Sequence, residues 1–195
     1  MTASILYLHG LNSSPLSKKA TQLKQRFEQA GKSDRLLVPA LHHHPAHAIR
    51  QAERAIEQLG TPLLVGSSLG GYYATHLAER FGLPAVLINP AVNPHLLFDG
   101  FLGPQTNLYT GEQWQLTLDH IQALAALSVL PSAPLARYQV WLQTGDETLD
   151  YRRAEAFYDG ATLDIQSGGD HSYQGFEQRI PELLALAGFN PAEFA

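Results

Sequence analysis

Pro62-Leu63-Leu64-Val65-Gly66-Ser67-Ser68-Leu69-Gly70-Gly71-Tyr72-Tyr73-Ala74-Thr75-His76-Leu77-Ala78-Glu79-Arg80 decides the fold of this chain. Its first four residues form a short apolar run, the pattern of a buried strand. Its last ten read as a helix. Between them Gly66-Ser67-Ser68-Leu69-Gly70 fits G-x-S-x-G, with Ser68 at the centre. In a strand-to-helix setting this motif has a mechanical meaning. The chain reverses so sharply at the serine that the backbone is strained. Glycines two residues to either side keep strand and helix from colliding. The hydroxyl is left at the tip of a sheet, where it can attack a carbonyl. A nucleophilic serine needs a base and an acid, and in this setting they follow in the order Ser, acid, His.

Moving outward, both partners have candidates in that order. Asp146 follows the strand-like run Tyr138 to Gly145, although Glu147 and Asp150 compete for the same role. His171 follows a second run, Ala161 to Gln166, in the loop Ser167-Gly168-Gly169-Asp170-His171. Each candidate lies just past the C-terminal end of a strand, where open α/β sheets carry their sites. The oxyanion of a tetrahedral intermediate needs two preorganised donors. The N–H of Leu69 is one candidate. Leu11, in the loop His9-Gly10-Leu11-Asn12 after the strand Ile5 to Leu8, is the other. His9 and Asn12 flank that position. Both are candidate substrate-facing residues, with His9 also suited to organising the loop.

The rest of the chain alternates strand and helix patterns. Further strands are expected at Leu36 to Val38 and Ala85 to Ile88. Helices are expected at Ser17 to Ala30, Ala46 to Leu59, Tyr151 to Tyr158 and Phe176 to Ala187. About six nearly all-apolar strands joined by helices imply a small, mostly parallel sheet covered on both faces. The expected architecture is one α/β-hydrolase domain over residues 1–195. Residues 93–134 interrupt the rhythm and are expected to form a lid-like insertion, with a helical stretch from Glu112 to Leu130. That stretch is also compatible with an ordinary surface helix.

Bulk properties narrow the function. The chain has 195 residues, 45% hydrophobic and 16% charged, with a formal net charge of −5. A mildly acidic chain is a poor match for nucleic acid or an anionic membrane. It contains no cysteine, which removes disulfides and thiolate chemistry. The first residues lack a basic segment and an apolar core of signal-peptide length. No apolar run approaches the roughly 18 residues a membrane span requires. A cytoplasmic, monomeric protein acting on a small molecule is expected. His42-His43-His44 with His47 reads as a polar loop rather than a metal site, because no acid or cysteine stands beside it. Lys18, Lys19 and Lys24 read as a solvated helix face. Tyr72 and Tyr73 read as packing residues.

With these residues in place the chain resembles the small bacterial YqiA-type esterases, the UPF0227 family. Leu6-Tyr7-Leu8-His9-Gly10-Leu11-Asn12-Ser13-Ser14-Pro15, Lys19-Ala20-Thr21-Gln22-Leu23, Val65 to Thr75, Asn89-Pro90-Ala91-Val92, Tyr109-Thr110-Gly111, Gln143-Thr144-Gly145-Asp146-Glu147, Leu149-Asp150-Tyr151-Arg152 and Gly168-Gly169-Asp170-His171 carry the likeness. It spans nearly the whole chain. It implies hydrolysis of short acyl esters or thioesters, without a cofactor, with Ser68 as nucleophile, Asp146 as acid and His171 as base. The His42 to His47 loop departs from the family pattern, so substrate preference is not carried over. A thioesterase on acyl-CoA is the alternative within enzymes. A binding protein that keeps the fold is the alternative outside them.

Overall fold

A computed structural model describes residues 3–194; Met1, Thr2 and Ala195 lie outside the described residues. Eight strands and six α-helices are present among them. The strands are β1 (Ile5–Leu8), β2 (Leu36–Leu37), β3 (Leu63–Ser67), β4 (Ala85–Ile88), β5 (Gly103–Thr106), β6 (Gln113–Leu116), β7 (Tyr138–Gln143) and β8 (Thr162–Gln166). The helices are α1 (Lys18–Gln29), α2 (Pro45–Leu59), α3 (Leu69–Phe81), α4 (Leu118–Ala126), α5 (Tyr151–Phe157) and α6 (Phe176–Leu186). Six strands form one parallel sheet in the order β2-β1-β3-β4-β7-β8. This is the α/β-hydrolase fold, as the strand–helix alternation leads one to expect. No described helix is long and apolar enough to cross a membrane.

The continuous apolar strands are apolar because both faces are covered. Successive side chains alternate across a sheet. Leu6 and Leu8 therefore join Leu64, Leu87, Val140 and Leu142 on one face, with α2 and α3 packed against them. Ile5 and Tyr7 join Val65, Val86, Ile88 and Trp141 on the other, beneath α1 and α6. Leu64 and Leu77 are completely buried. Side chains of that kind contribute about 1.5–3 kcal/mol each.

The strand order creates the site. The chain runs from β1 outward to β2, then returns to the opposite side of β1 as β3. A crevice opens where the order reverses, beyond the C-terminal ends of β1 and β3. The loop after β1 and the turn after β3 meet there.

Residues 93–134 differ from the sequence expectation. The helix expected over 112–130 is shorter and later, α4 at Leu118–Ala126. The residues before it, Gln113–Leu116, are strand β6, paired antiparallel with β5. The burial of Gln113–Leu116 alternates exposed and buried, with Trp114 and Leu116 facing inward. That period of two is hard to see in the sequence because β5, Gly-Pro-Gln-Thr, carries no strand signal of its own. The β5–β6 hairpin is tied to the loop after β1. Leu108 N–H donates to Asn12 O at 2.9 Å, and Asn107 Nδ2 donates to Ser13 O at 2.8 Å. Helix α4 is tied to α3. Tyr72 Oη donates to Leu124 O at 2.6 Å, and His76 Nδ1 lies 3.0 Å from Leu127 O.

Candidate active site

Ser68 stands between β3 and α3 with φ 56° and ψ −122°. A non-glycine residue in that region is strained and persists only when its surroundings over-determine it. Here they do. Ser68 N–H donates to Ile88 O at 3.0 Å, and Ser68 O accepts from Gly71 N at 2.9 Å and Ala91 N at 3.0 Å. The flanking glycines are required by space. A Cβ on Gly70 would overlap the Leu8 carbonyl, and one on Gly66 would overlap the backbone of Gly70.

The three residues expected to act together are brought together. Ser68 Oγ lies 3.0 Å from His171 Nε2. His171 Nδ1 lies 2.8 Å from Asp146 Oδ2 and 3.0 Å from Oδ1. The Asp146 side chain is only 2% exposed and that of His171 23%. Asp146 Oδ1 also accepts from Thr148 N at 2.9 Å and Leu149 N at 2.8 Å, which fixes the carboxylate. The competing acids are engaged elsewhere. Glu147 Oε2 accepts from the backbone N–H of His171 at 3.0 Å. Asp150 caps α5 and pairs with Arg152 at 2.8 Å.

Two residues not singled out in the sequence hold the histidine loop. Asn89, buried at the end of β4, donates through Nδ2 to Asp170 O at 3.0 Å and accepts from Gln143 N at 3.0 Å. Gln143, buried at the end of β7, accepts at Oε1 from Gln174 N at 2.8 Å and Asp170 N at 3.2 Å. Its Nε2 donates to Gln174 O at 2.7 Å. Their signals were a polar residue ending each apolar strand and a place in two of the stretches that carry the family likeness.

The loop after β1 abuts the serine. A Cβ on Gly10 would sit 3.2 Å from Ser68 Cβ. Leu11 lines the cleft beside Ser68. Leu69 is the first residue of α3, so its N–H has no partner four residues back. His9 lines the cleft over Ser68, both His9 and Asn12 line the smaller cavity beside it, and both also organise the loop. His9 is 4% exposed. Leu41 N–H donates to His9 Nε2 at 3.1 Å, so Nδ1 carries the proton and donates to Gly10 O at 3.0 Å. Burial lowers its pKa and favours this neutral form. Asn12 donates to Gln105 Oε1 at 3.0 Å and accepts from Trp114 Nε1 at 2.9 Å, which fastens the hairpin.

A cleft of about 200 Å³ opens over Ser68 and His171. A second, much smaller cavity, about 30 Å³, lies beyond Leu11 and Leu69 against Tyr73, His43 and Trp114. Lys19 departs from the solvated reading. It is half-buried in the cleft wall, with Nζ donating to Ser172 O at 2.7 Å.

The histidine loop packs against α4 and the hairpin. The His43 ring stacks on Trp114 at 4.7 Å and on His120 at 5.3 Å. Among the described residues no group of three or more His, Cys, Asp or Glu is disposed to hold a metal. Thr117 N–H donates to His120 Nδ1 at 3.3 Å, so His120 Nε2 carries the proton and donates to His43 Nδ1 at 3.1 Å. Both contacts require neutral rings. Burial, with His44 and His43 nearby, lowers the His120 pKa to about 4, and burial lowers that of His43. His42, His47, Arg50 and Glu112 also face this cluster, and Asp119 accepts from His44 at 2.8 Å. A histidine freed of these contacts titrates near 6.5. The docked arrangement therefore keeps its full stability above about pH 6.5 and loses it as pH falls toward 4. Amides of α4 are expected to exchange faster at pH 5 than at pH 7, after correction for intrinsic rates. The difference should shrink in His120→Gln. Equal protection at both pH values would contradict this.

The model of an uncharacterised family, UPF0227, matches residues 4–188. A UPF0227 protein of Vibrio cholerae is 32% identical over 102 residues, covering 49% of this chain and 55% of the relative. One of Shewanella sediminis is 32% identical over 96 residues, covering 46% and 52%. The match thus spans about half the length of these curated relatives. Among solved structures, alpha/beta hydrolase domain-containing protein 10 from mouse has a TM-score of 0.70 at 15% identity, covering 95% of this chain and 92% of that one. Est1E from Butyrivibrio proteoclasticus has a TM-score of 0.68 at 13% identity, covering 95% and 86%. At such identities the likeness is one of fold.

Proposed function

We propose that this chain, which belongs to the UPF0227 family, is a serine esterase cleaving short-chain acyl esters through an acyl-enzyme on Ser68. The observation that carries the reading is the unbroken run of hydrogen bonds from Ser68 Oγ through His171 to the buried Asp146. In the first half-reaction Ser68 Oγ attacks the ester carbonyl as His171 Nε2 takes its proton. Asp146 keeps the proton of the neutral ring on Nδ1 and stabilises the imidazolium that forms. The new oxyanion takes hydrogen bonds from the N–H groups of Leu69 and Leu11. Collapse of the intermediate expels the alcohol, which leaves with the proton from His171. A water then attacks the acyl-serine by the same route, releasing the acid and restoring Ser68.

The small cavity beside Leu69, about 30 Å³, leaves little room on that side of the serine, which supports a short acyl group. The β5–β6 hairpin walls this side and acts as the lid-like part of the 93–134 insertion. No residue in this scheme needs a metal or cofactor. Hydrolysis of p-nitrophenyl acetate, butyrate and octanoate tests the proposal, with fluorophosphonate labelling of Ser68 alongside. Turnover that falls from acetate to octanoate, with one labelled serine, is expected. Neither turnover nor labelling would leave a binding protein on a hydrolase fold.

A further inference from the structure

The cleft over Ser68 has an uneven charge. Its lining includes Lys18 and Lys19 and no aspartate or glutamate. This is unexpected in a chain of net charge −5. Asp146 lies behind His171 with its oxygens already bonded. Lys19 Nζ makes a single hydrogen bond, to the carbonyl of Ser172, and among the described residues no carboxylate pairs with it. An ammonium has three donors. Partly dehydrating it without an ion-pair partner is unfavourable: burial, with Lys18 nearby, lowers the Lys19 pKa to about 8, although Asp170 and Asp146 face it and act in the opposite direction. Such a perturbed group in a cleft wall is a candidate for ligand binding.

Geometry says which part of the substrate it would meet. His171 must return its proton to the departing atom, so the leaving group lies on the His171 side of the serine. Lys19 is bonded to the residue after His171. The acyl cavity lies on the other side, toward Leu69. The leaving group therefore passes Lys19, with Ser13, Ser17 and Tyr109 also lining the cleft.

We propose that Lys19, with Lys18 at the rim, recognises an anionic leaving group: the alcohol or thiol released by this protein carries a carboxylate or a phosphate. This inference rests on the serine-esterase reading above. Lys19 thereby becomes a specificity residue.

The test compares kcat/KM at pH 7 for 4-acetoxybenzoate, 4-acetoxyphenyl phosphate and the neutral methyl 4-acetoxybenzoate. Wild type, Lys19→Gln and Lys19→Arg are measured on all three. Each ratio of charged to neutral ester is internal to one protein, so partial misfolding cancels. In Lys19→Gln the ratio for the favoured anion should fall roughly tenfold or more, the scale of a charge-assisted hydrogen bond. Lys19→Arg should retain most of it. The anion with the larger wild-type ratio tells carboxylate from phosphate. The ammonium persists below its pKa, so the wild-type ratio should decline as pH rises through about 8, and Lys19→Gln should lack that decline. A ratio unchanged in Lys19→Gln at every pH, with the neutral ester still hydrolysed, overturns the inference and leaves the esterase reading standing. No hydrolysis of any ester, with no fluorophosphonate labelling, overturns both.

Discussion

Ser68→Ala is expected to lower kcat on p-nitrophenyl butyrate by roughly 10⁴–10⁶-fold with little change in KM, the range found when a triad nucleophile is removed. The Ser68 hydroxyl bonds only His171 among the described residues, so its loss leaves the backbone contacts of the turn in place. The variant should therefore fold and bind substrate. His171→Ala should cost a similar factor, and the double variant scarcely more than either, because the groups act as a unit. Steady-state kinetics on purified proteins gives the answer directly. A Ser68→Ala protein within tenfold of wild type would remove the nucleophile assignment.

Gly70→Ala is expected to be the most damaging single methyl in the molecule. The added Cβ would overlap the carbonyls of Leu8 and His9, which are backbone atoms of β1 and the loop after it. Neither can rotate away like a side chain. Relief requires α3 to move off β1, opening the buried contact between them and displacing the loop that carries Leu11. A loss of about 3–5 kcal/mol is expected, in the range of severe core overpacking. For a chain of this size that is roughly 6–20 °C in Tm. Gly100→Ala is the control, since nothing lies within 4 Å of its added Cβ and its φ is not in the left-handed region. It should change Tm by no more than about 2 °C. Thermal unfolding followed by circular dichroism compares the two. A Gly70→Ala protein melting within 3 °C of wild type would mean that strand and helix are not held as closely as described.

The regular elements were legible because their determinants are local. The limits of α3 follow from the glycines at the turn and Gly82 at its end, where φ is 66°. Helix α2 opens at Pro45 and stops at Gly60, as its apolar spacing and terminal glycine indicate. The choice of Ser68, Asp146 and His171 rested on the G-x-S-x-G motif, the order Ser, acid, His, and the position of each just past a strand end. The β5–β6 hairpin was not legible. Trp114 and Leu116 alternate as strand residues should, but their partner strand holds glycine, proline and two polar residues. Its pairing is stabilised by contacts from Asn12, about a hundred residues away in sequence.

The sequence by itself determined the strand–helix alternation, the sharp turn at Ser68 and the chain order of the three site residues. Each depends on neighbours within a few positions, through steric limits on the backbone and the period of apolar side chains. Only the tertiary structure decided what the polar residues around the site do. A histidine, an asparagine or a lysine can serve substrate or scaffold equally well from its own sequence. His9 and Asn12 were drawn inward because Leu41, Gln105 and Trp114 meet their polar atoms there. Lys19 was left beside the cleft with an incompletely bonded ammonium because, among the described residues, no carboxylate comes within ion-pair distance and Asp170 and Asp146 act on it only from farther away. A hydrogen bond is made where two distant segments arrive together, and that arrival depends on the packing of the whole sheet.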